Sequence, residues 1–141
     1  MRPPLDALEQ AVTLALTEDL GGTGDITTDS IVPVGSTIEA EIRSRQPGRI
    51  AGTDCIAIAL TQFPEPAQVA IFAGDGADVA AGQTVARLSG SARTVLTAER
   101  TILNLLCRLS GIATATAAAV RLVDGTRTVI KDTRKTTPGL R

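Results

Sequence analysis

The stretch from Ser91 to about Leu109 places Val95, Ile102, Leu105, Leu106 and Leu109 on one face of a helix, with Leu96 and Leu103 widening that face. Roughly 17 residues at 1.5 Å rise make a rod of about 25 Å, and so broad an apolar face has to be covered by a layer of other elements. The covering layer is aliphatic: among 141 residues there is no Trp and no Tyr, only Phe63 and Phe72, so Ala, Val, Ile and Leu fill the core. Arg93, Glu99, Arg100 and Arg108 lie off the centre of the apolar face, and Arg100 taken alone reads as a surface cation whose pairing contributes little. Ser110-Gly111 predicts a break, after which Ile112 to Val123 resumes as an Ala- and Thr-rich helix narrow enough for close packing.

Upstream, Pro4 opens a helix with Leu5, Leu8, Val12, Ala15 and Leu16 on one side, ending at Glu18-Asp19-Leu20-Gly21-Gly22. Gly21 to Asp29 follows no strand and lacks the Lys-Ser/Thr ending of a phosphate loop, so it reads as a connecting turn whose Asp and Thr groups bond the backbone. Thr37 to Arg43 alternates apolar and polar residues at the period of a half-buried strand. Gly48 to Gly52 is a tight bend, and Thr53 to Leu60 is a short helix capped by Thr53 or Asp54. After the Pro64/Pro66 break, Val69 to Phe72 and Thr84 to Leu88 predict strands on either side of two Gly-containing turns around Val79. The text of that region is similar to the barrel-sandwich modules of biotin and lipoate carriers. Such carriers attach their group to a lysine at a hairpin tip, whereas the only lysines here are Lys131 and Lys135. The resemblance implies a shared scaffold and does not support the carrier function.

Charge is distributed unevenly. From Arg93 onward lie nine of the fourteen cations but only three of the fifteen carboxylates, which points to an anionic ligand near the C-terminal third. Aromatic stacking platforms and zinc-finger spacings are missing, so a small polyanion fits better than nucleic acid. Thr128 to Ile130 supply β-branched residues for a buried strand and Pro138-Gly139 turns the chain; between them Arg134 offers a planar fork matched to a carboxylate or phosphate, with Lys135 a compact charge beside it. With no His in the chain, His-based acid/base chemistry and zinc chemistry are excluded for this segment. No set of metal ligands is assigned, and Cys55 and Cys107 are expected in the core. No apolar run approaches the roughly 20 residues of a membrane helix, and Met1-Arg2-Pro3-Pro4 leads into an amphipathic stretch, so a cytoplasmic protein without a membrane partner is expected.

Three ordered blocks carry a more specific resemblance: Leu96-Thr97-Ala98-Glu99-Arg100-Thr101-Ile102-Leu103-Asn104-Leu105-Leu106, then Leu109-Ser110-Gly111-Ile112-Ala113-Thr114, then Asp132-Thr133-Arg134-Lys135-Thr136-Thr137-Pro138-Gly139-Leu140-Arg141. Together with Glu18-Asp19-Leu20 and Gly24-Asp25-Ile26-Thr27-Thr28, they resemble the quinolinate phosphoribosyltransferase family, also called nicotinate-nucleotide pyrophosphorylase (carboxylating). The resemblance implies an α+β N-terminal domain over 1–111, helices with a mainly antiparallel, barrel-sandwich-like sheet. Residues 112–141 would then be the start of an incomplete α/β barrel, with its first helix and strand over Ile112 to Thr133.

It also implies a pentosyltransferase that joins quinolinate to phosphoribosyl pyrophosphate in NAD biosynthesis. The products are nicotinate mononucleotide, pyrophosphate and carbon dioxide, and Mg2+ is carried by the sugar pyrophosphate. Arg134 and Lys135 would clamp the pyridine dicarboxylate in one subunit while Arg100 reaches it from the other, in a homodimer with a shared site at the barrel mouth. No catalytic residue is assigned. Family members continue for about as many residues again, so this chain is expected to be a truncated form, inactive alone. Two further readings stand beside it: a related phosphoribosyltransferase-like protein of molybdenum-linked function, and a non-enzymatic dimerisation or carrier-like module.

Overall fold

The protein is described from a computed structural model over residues 4–136. Helix α1 (Leu5–Leu20) starts behind Pro4, whose carbonyl accepts the Leu8 N–H, and stops where Gly21 takes a positive φ of 53° and gives its N–H to Thr17. Its apolar side buries Val12 and Leu16, while Leu5 in the first turn stays exposed. The segment read as a connecting turn is a short helix, α2 (Ile26–Ile31). Asp25 caps it, its Oδ1 accepting the Thr28 N–H at 3.0 Å. The Asp and Thr chemistry expected to bond a turn bonds a helix start instead, because the same side-chain acceptor serves both.

Strand β1 (Thr37–Arg43) is followed by β2 (Gly48–Arg49), α3 (Asp54–Thr61), β3 (Ala67–Ile71), β4 (Asp78–Val79), β5 (Thr84–Ser91) and α4 (Ala92–Leu122). One antiparallel sheet runs β1-β5-β3, and β2 and β4 form a small second sheet. In the larger sheet Thr37 lies opposite Ser91 and Ala67 opposite Gly90, with an irregularity between Ile42 and Arg43. Central β5 buries Val85, Ala86 and Leu88 on the way to Ser91, whose hydroxyl then caps α4 by accepting the Thr94 N–H at 3.2 Å. Val12, Ile56, Val85 and Ile102 are among the largest fully buried side chains, so α1, α3, β5 and α4 meet in one aliphatic core. Gly90, with φ 131°, lets β3 come close: a Cβ there would stand 2.6 Å from the Pro66 carbonyl oxygen and 2.7 Å from Ala67 Cα.

Several expectations need correction. Thr53 makes no side-chain cap on α3; its N–H and hydroxyl both go to Asp75 Oδ1, at 2.8 and 2.7 Å, tying the helix start to the loop before β4. The break expected at Ser110-Gly111 is absent, and α4 runs 31 residues without interruption. Gly111 costs the helix only about 1 kcal/mol relative to Ala. Around it the backbone of β2 and of the residues just after it bonds to α4, Arg49 N–H to the Thr114 hydroxyl at 2.9 Å and Ala51 N–H to the Ser110 hydroxyl at 3.1 Å. Gly52, at φ 94°, admits the close approach, since a Cβ there would fall 2.5 Å from Leu109 Cδ1.

No strand forms over Thr128 to Ile130: no described strand lies alongside to take up its ladder bonds, and Val129 is exposed. Pro138-Gly139 lies outside the described residues. Cys55 is buried as expected but Cys107 is exposed, because it borders the open groove between β1 and α4. By length and mean hydropathy α4 alone among the described helices would suffice to cross a membrane. Its first half packs Ala98, Ile102 and Leu106 in the core, whereas Ile112, Val120 and Leu122 further along are exposed.

Candidate anion site

Arg100 projects from α4 one turn after Thr97. Its Nε lies 2.8 Å from Asp19 Oδ1, in the last turn of α1, and two thirds of the arginine side chain faces solvent. Asp19 itself is largely covered, and its second oxygen, Oδ2, is buried with no hydrogen-bond partner among the described residues. Asp25 stands nearby. Its carboxylate accepts the Thr28 N–H at 3.0 Å, the Thr28 hydroxyl at 2.5 Å and the Thr97 hydroxyl at 3.2 Å. Those hydrogen bonds, the Thr28 hydroxyl first, hold the Asp25 carboxyl below the usual range; the field of Arg100 adds a smaller push in the same direction. Two carboxyl groups from the α1–α2 corner therefore border a guanidinium whose outer side is open.

The corner is itself tied down by Arg93. Its Nε and Nη2 donate to the carbonyls of Val32 and Asp29, at 2.9 and 3.1 Å, closing the C-terminal end of α2. Arg93 thus holds the frame, and of the basic residues on α4 it is Arg100 that presents its head to solvent beside a cleft. That cleft, of about 390 Å³, is lined by Leu96, Glu99, Arg100, Leu103 and Asn104. It shares Leu96, Glu99 and Leu103 with a longer groove of about 930 Å³ between β1 and α4, which is apolar at its floor (Ile42, Val85, Leu106).

Arg134 and Lys135 lie on an exposed, irregular tail. The Lys135 N–H bonds to the Thr133 hydroxyl at 2.9 Å, a local turn that sets the backbone of the basic pair. Neither residue lines the cleft at Arg100 within one chain, and neither side chain is paired among the described residues. So the three cations singled out in the sequence occupy two separate places in a protomer. In the sequence Asp25 read as a turn residue bonding the backbone, and Asp19 had no assigned role. Asp25 is recoverable locally, since an Asp three residues before a Thr at a helix start is cap chemistry; the pairing of Asp19 with Arg100 spans too much chain to leave a local signal.

The class is an α+β domain with an antiparallel sheet under a long helix that displays a cation at a cleft. Residues 25–110 match the description "Quinolinate phosphoribosyl transferase, N-terminal domain" and residues 112–141 the corresponding C-terminal domain. The chain is 44% identical over 138 residues to a nicotinate-nucleotide pyrophosphorylase [carboxylating] of Mycobacterium leprae, covering 96% of this chain and 49% of the relative. It is 45% identical over 124 residues to a probable enzyme of the same description from Bacillus subtilis, covering 88% and 42%. The solved nicotinate-nucleotide pyrophosphorylase from Francisella tularensis superposes with a TM-score of 0.90 at 35% identity, over 98% of this chain and 49% of that one. The corresponding structure from Ehrlichia chaffeensis gives 0.89 at 34% identity, over 99% and 50%.

The chain belongs to the quinolinate phosphoribosyl transferase family. It spans about half the length of the relatives it matches.

Proposed function

We propose that this chain is the N-terminal half of a quinolinate phosphoribosyltransferase (decarboxylating) of NAD biosynthesis, acting as a cytoplasmic homodimer. In this reading Arg100 of one subunit and Arg134 and Lys135 of the other hold quinolinate. The observation that carries it is the exposed, backed guanidinium of Arg100 beside an open cleft in a chain of this family. The groove that continues the cleft along α4 is the surface against which the partner would complete the site.

Quinolinate is a dianion and phosphoribosyl pyrophosphate carries more charge still, so fixed cations are needed to bring them together against mutual repulsion. Held in line, the pyridine nitrogen attacks the anomeric carbon as the bond to pyrophosphate breaks. Positioning two bound reactants this way supplies up to about 7–11 kcal/mol of the barrier. The ring nitrogen, now quaternary and positively charged, stabilises the electron pair left on the adjacent ring carbon when its carboxylate departs as carbon dioxide, and that pair takes up a proton from solvent. Neither step calls for a nucleophile from the protein. Magnesium fits as part of the sugar-pyrophosphate substrate; no cluster of three acidic or cysteine side chains stands ready for it among the described residues. Calorimetry with quinolinate and assay of the complete protein test the reading. Arg134→Ala should raise the quinolinate KM roughly ten- to a hundredfold, the range for loss of a charged hydrogen-bonding group, whereas a mere surface loop would leave it unchanged.

A further inference from the structure

We infer that Asp19 is a positioning residue that aims the Arg100 fork at the acidic ligand; the inference rests on the proposed role of Arg100. The pair is one-armed. Asp19 Oδ1 meets Arg100 Nε at 2.8 Å while Oδ2 is buried without a hydrogen-bond partner, so the carboxylate does not occupy the guanidinium in a two-oxygen fork. An arginine held at Nε alone keeps its two terminal nitrogens for a second carboxylate, in the planar geometry that suits one.

A role in stability does not account for the arrangement. Pairs in which the cation is mostly exposed contribute little, and here the carboxylate also leaves an oxygen unsatisfied in a covered position. What the pair does achieve is a fixed direction for a long, flexible side chain that would otherwise sample many rotamers in solvent. The base of that side chain is fixed as well, since Thr97 one turn earlier on α4 donates to Asp25 at 3.2 Å. Asp19 closes α1 and Asp25 opens α2, so both contacts come from the two sides of one short connection. The shape of that corner is therefore what sets the angle at which the fork leaves the helix.

The test uses Asp19→Ala, Asp19→Asn, Arg100→Ala and the Asp19→Ala/Arg100→Ala double variant in the complete protein. KM for each substrate, kcat and thermal unfolding by circular dichroism are measured. Asp19→Ala is expected to raise the quinolinate KM roughly tenfold, the scale of coupling between directly bonded side chains, with kcat and the phosphoribosyl pyrophosphate KM little changed. Asp19→Asn, which keeps an oxygen facing Nε, should recover most of that loss, and Asp19→Ala should add nothing once Arg100 is absent. An unchanged quinolinate KM in Asp19→Ala, with a raised one in Arg100→Ala, overturns the positioning role and leaves the substrate reading intact. An unchanged KM in Arg100→Ala overturns the substrate reading and the inference with it. Should Asp19→Ala fail to fold, Asp19→Ser, whose hydroxyl is too short to reach Arg100 Nε, replaces it in the single and the double variant: a quinolinate KM rise that vanishes in the Arg100→Ala background supports the inference, and no rise, or one that persists there, overturns it.

Discussion

The Thr114 hydroxyl on α4 accepts the Arg49 backbone N–H of β2 at 2.9 Å and donates to the Ser110 carbonyl at 2.7 Å. One side chain thus serves the edge of a strand and the helix that crosses it. Thr114→Val keeps the shape and strands the Arg49 N–H in a half-covered position, which should cost about 1–2 kcal/mol. Urea unfolding measures it. Ser110→Ala orphans the neighbouring Ala51 N–H in the same way, and because the Thr114 hydroxyl bonds to the main-chain carbonyl of Ser110 and not to its hydroxyl, the two losses should roughly add in the double variant.

Gly90 is the one position in the central strand where the fold needs a missing side chain. At φ 131° a Cβ would meet the Pro66 carbonyl oxygen at 2.6 Å and Ala67 Cα at 2.7 Å, backbone atoms held by the Ser91 N–H bond to Pro66 and by the pairing of Ala67 with Gly90. Gly90→Ala is therefore expected to destabilise by about 2 kcal/mol or more, whereas Gly111→Ala, in open space on α4, should be neutral or stabilising. The contrast between the two substitutions in one unfolding series checks the argument.

Much of this was legible in the amino-acid sequence, for physical reasons that differ from element to element. The alternation of Thr37 to Arg43 gave β1 to the residue, because period two reports a half-buried strand directly. The apolar face over Val95, Ile102 and Leu106 likewise found the core side of α4. Continuity through Ser110-Gly111 was hidden, since what offsets a helical glycine there is hydrogen bonding to β2, some sixty residues earlier in the chain. Strand chemistry at Thr128 to Ile130 was read correctly as composition but misleads as structure: propensity supplies no ladder partner. At the site, Arg100 was singled out, while the carboxylate that holds it was not, for the same reason of distance along the chain.

Acid should weaken the sheet in a particular window. Glu41 on β1 accepts from Arg87 at 2.9 Å and from Arg43 at 2.8 Å, and these bonds, Arg87 first, pull its pKa from the ordinary 4.5 to about 2. A carboxylate depressed in the folded state contributes stability that is fully present above the unfolded value and lost as pH falls through the folded one. Urea midpoints should decline from about pH 4.5 toward 2, and Glu41→Gln should flatten that decline. Parallel curves for the two proteins would show that these exposed pairs contribute nothing.

The cysteines should separate by reactivity. Cys107 is exposed on α4, while Cys55 is buried on α3 and its thiol is pushed up, by burial first and then by the carboxylates of Asp75 and Asp54. An Ellman titration of the native protein should release one equivalent promptly, with the second appearing only on unfolding. Cys107→Ser should abolish the prompt phase and leave the late one.

The proposed shared site makes a prediction about mixtures that no single-subunit site does. If Arg100 acts on quinolinate held by the partner's Arg134 and Lys135, then in the complete protein an Arg100→Ala subunit and an Arg134→Ala subunit are defective in complementary halves. In a symmetric dimer each such hybrid contains one site carrying both changes and one carrying neither. Random reassembly places half the subunits in hybrids, so mixing two nearly inactive variants should restore about a quarter of the native activity. The quinolinate KM of the restored fraction should equal the native value, because the surviving site is unaltered. Mixtures that stay as inactive as their components would place Arg100 and Arg134 in the same subunit's site, or Arg100 outside it.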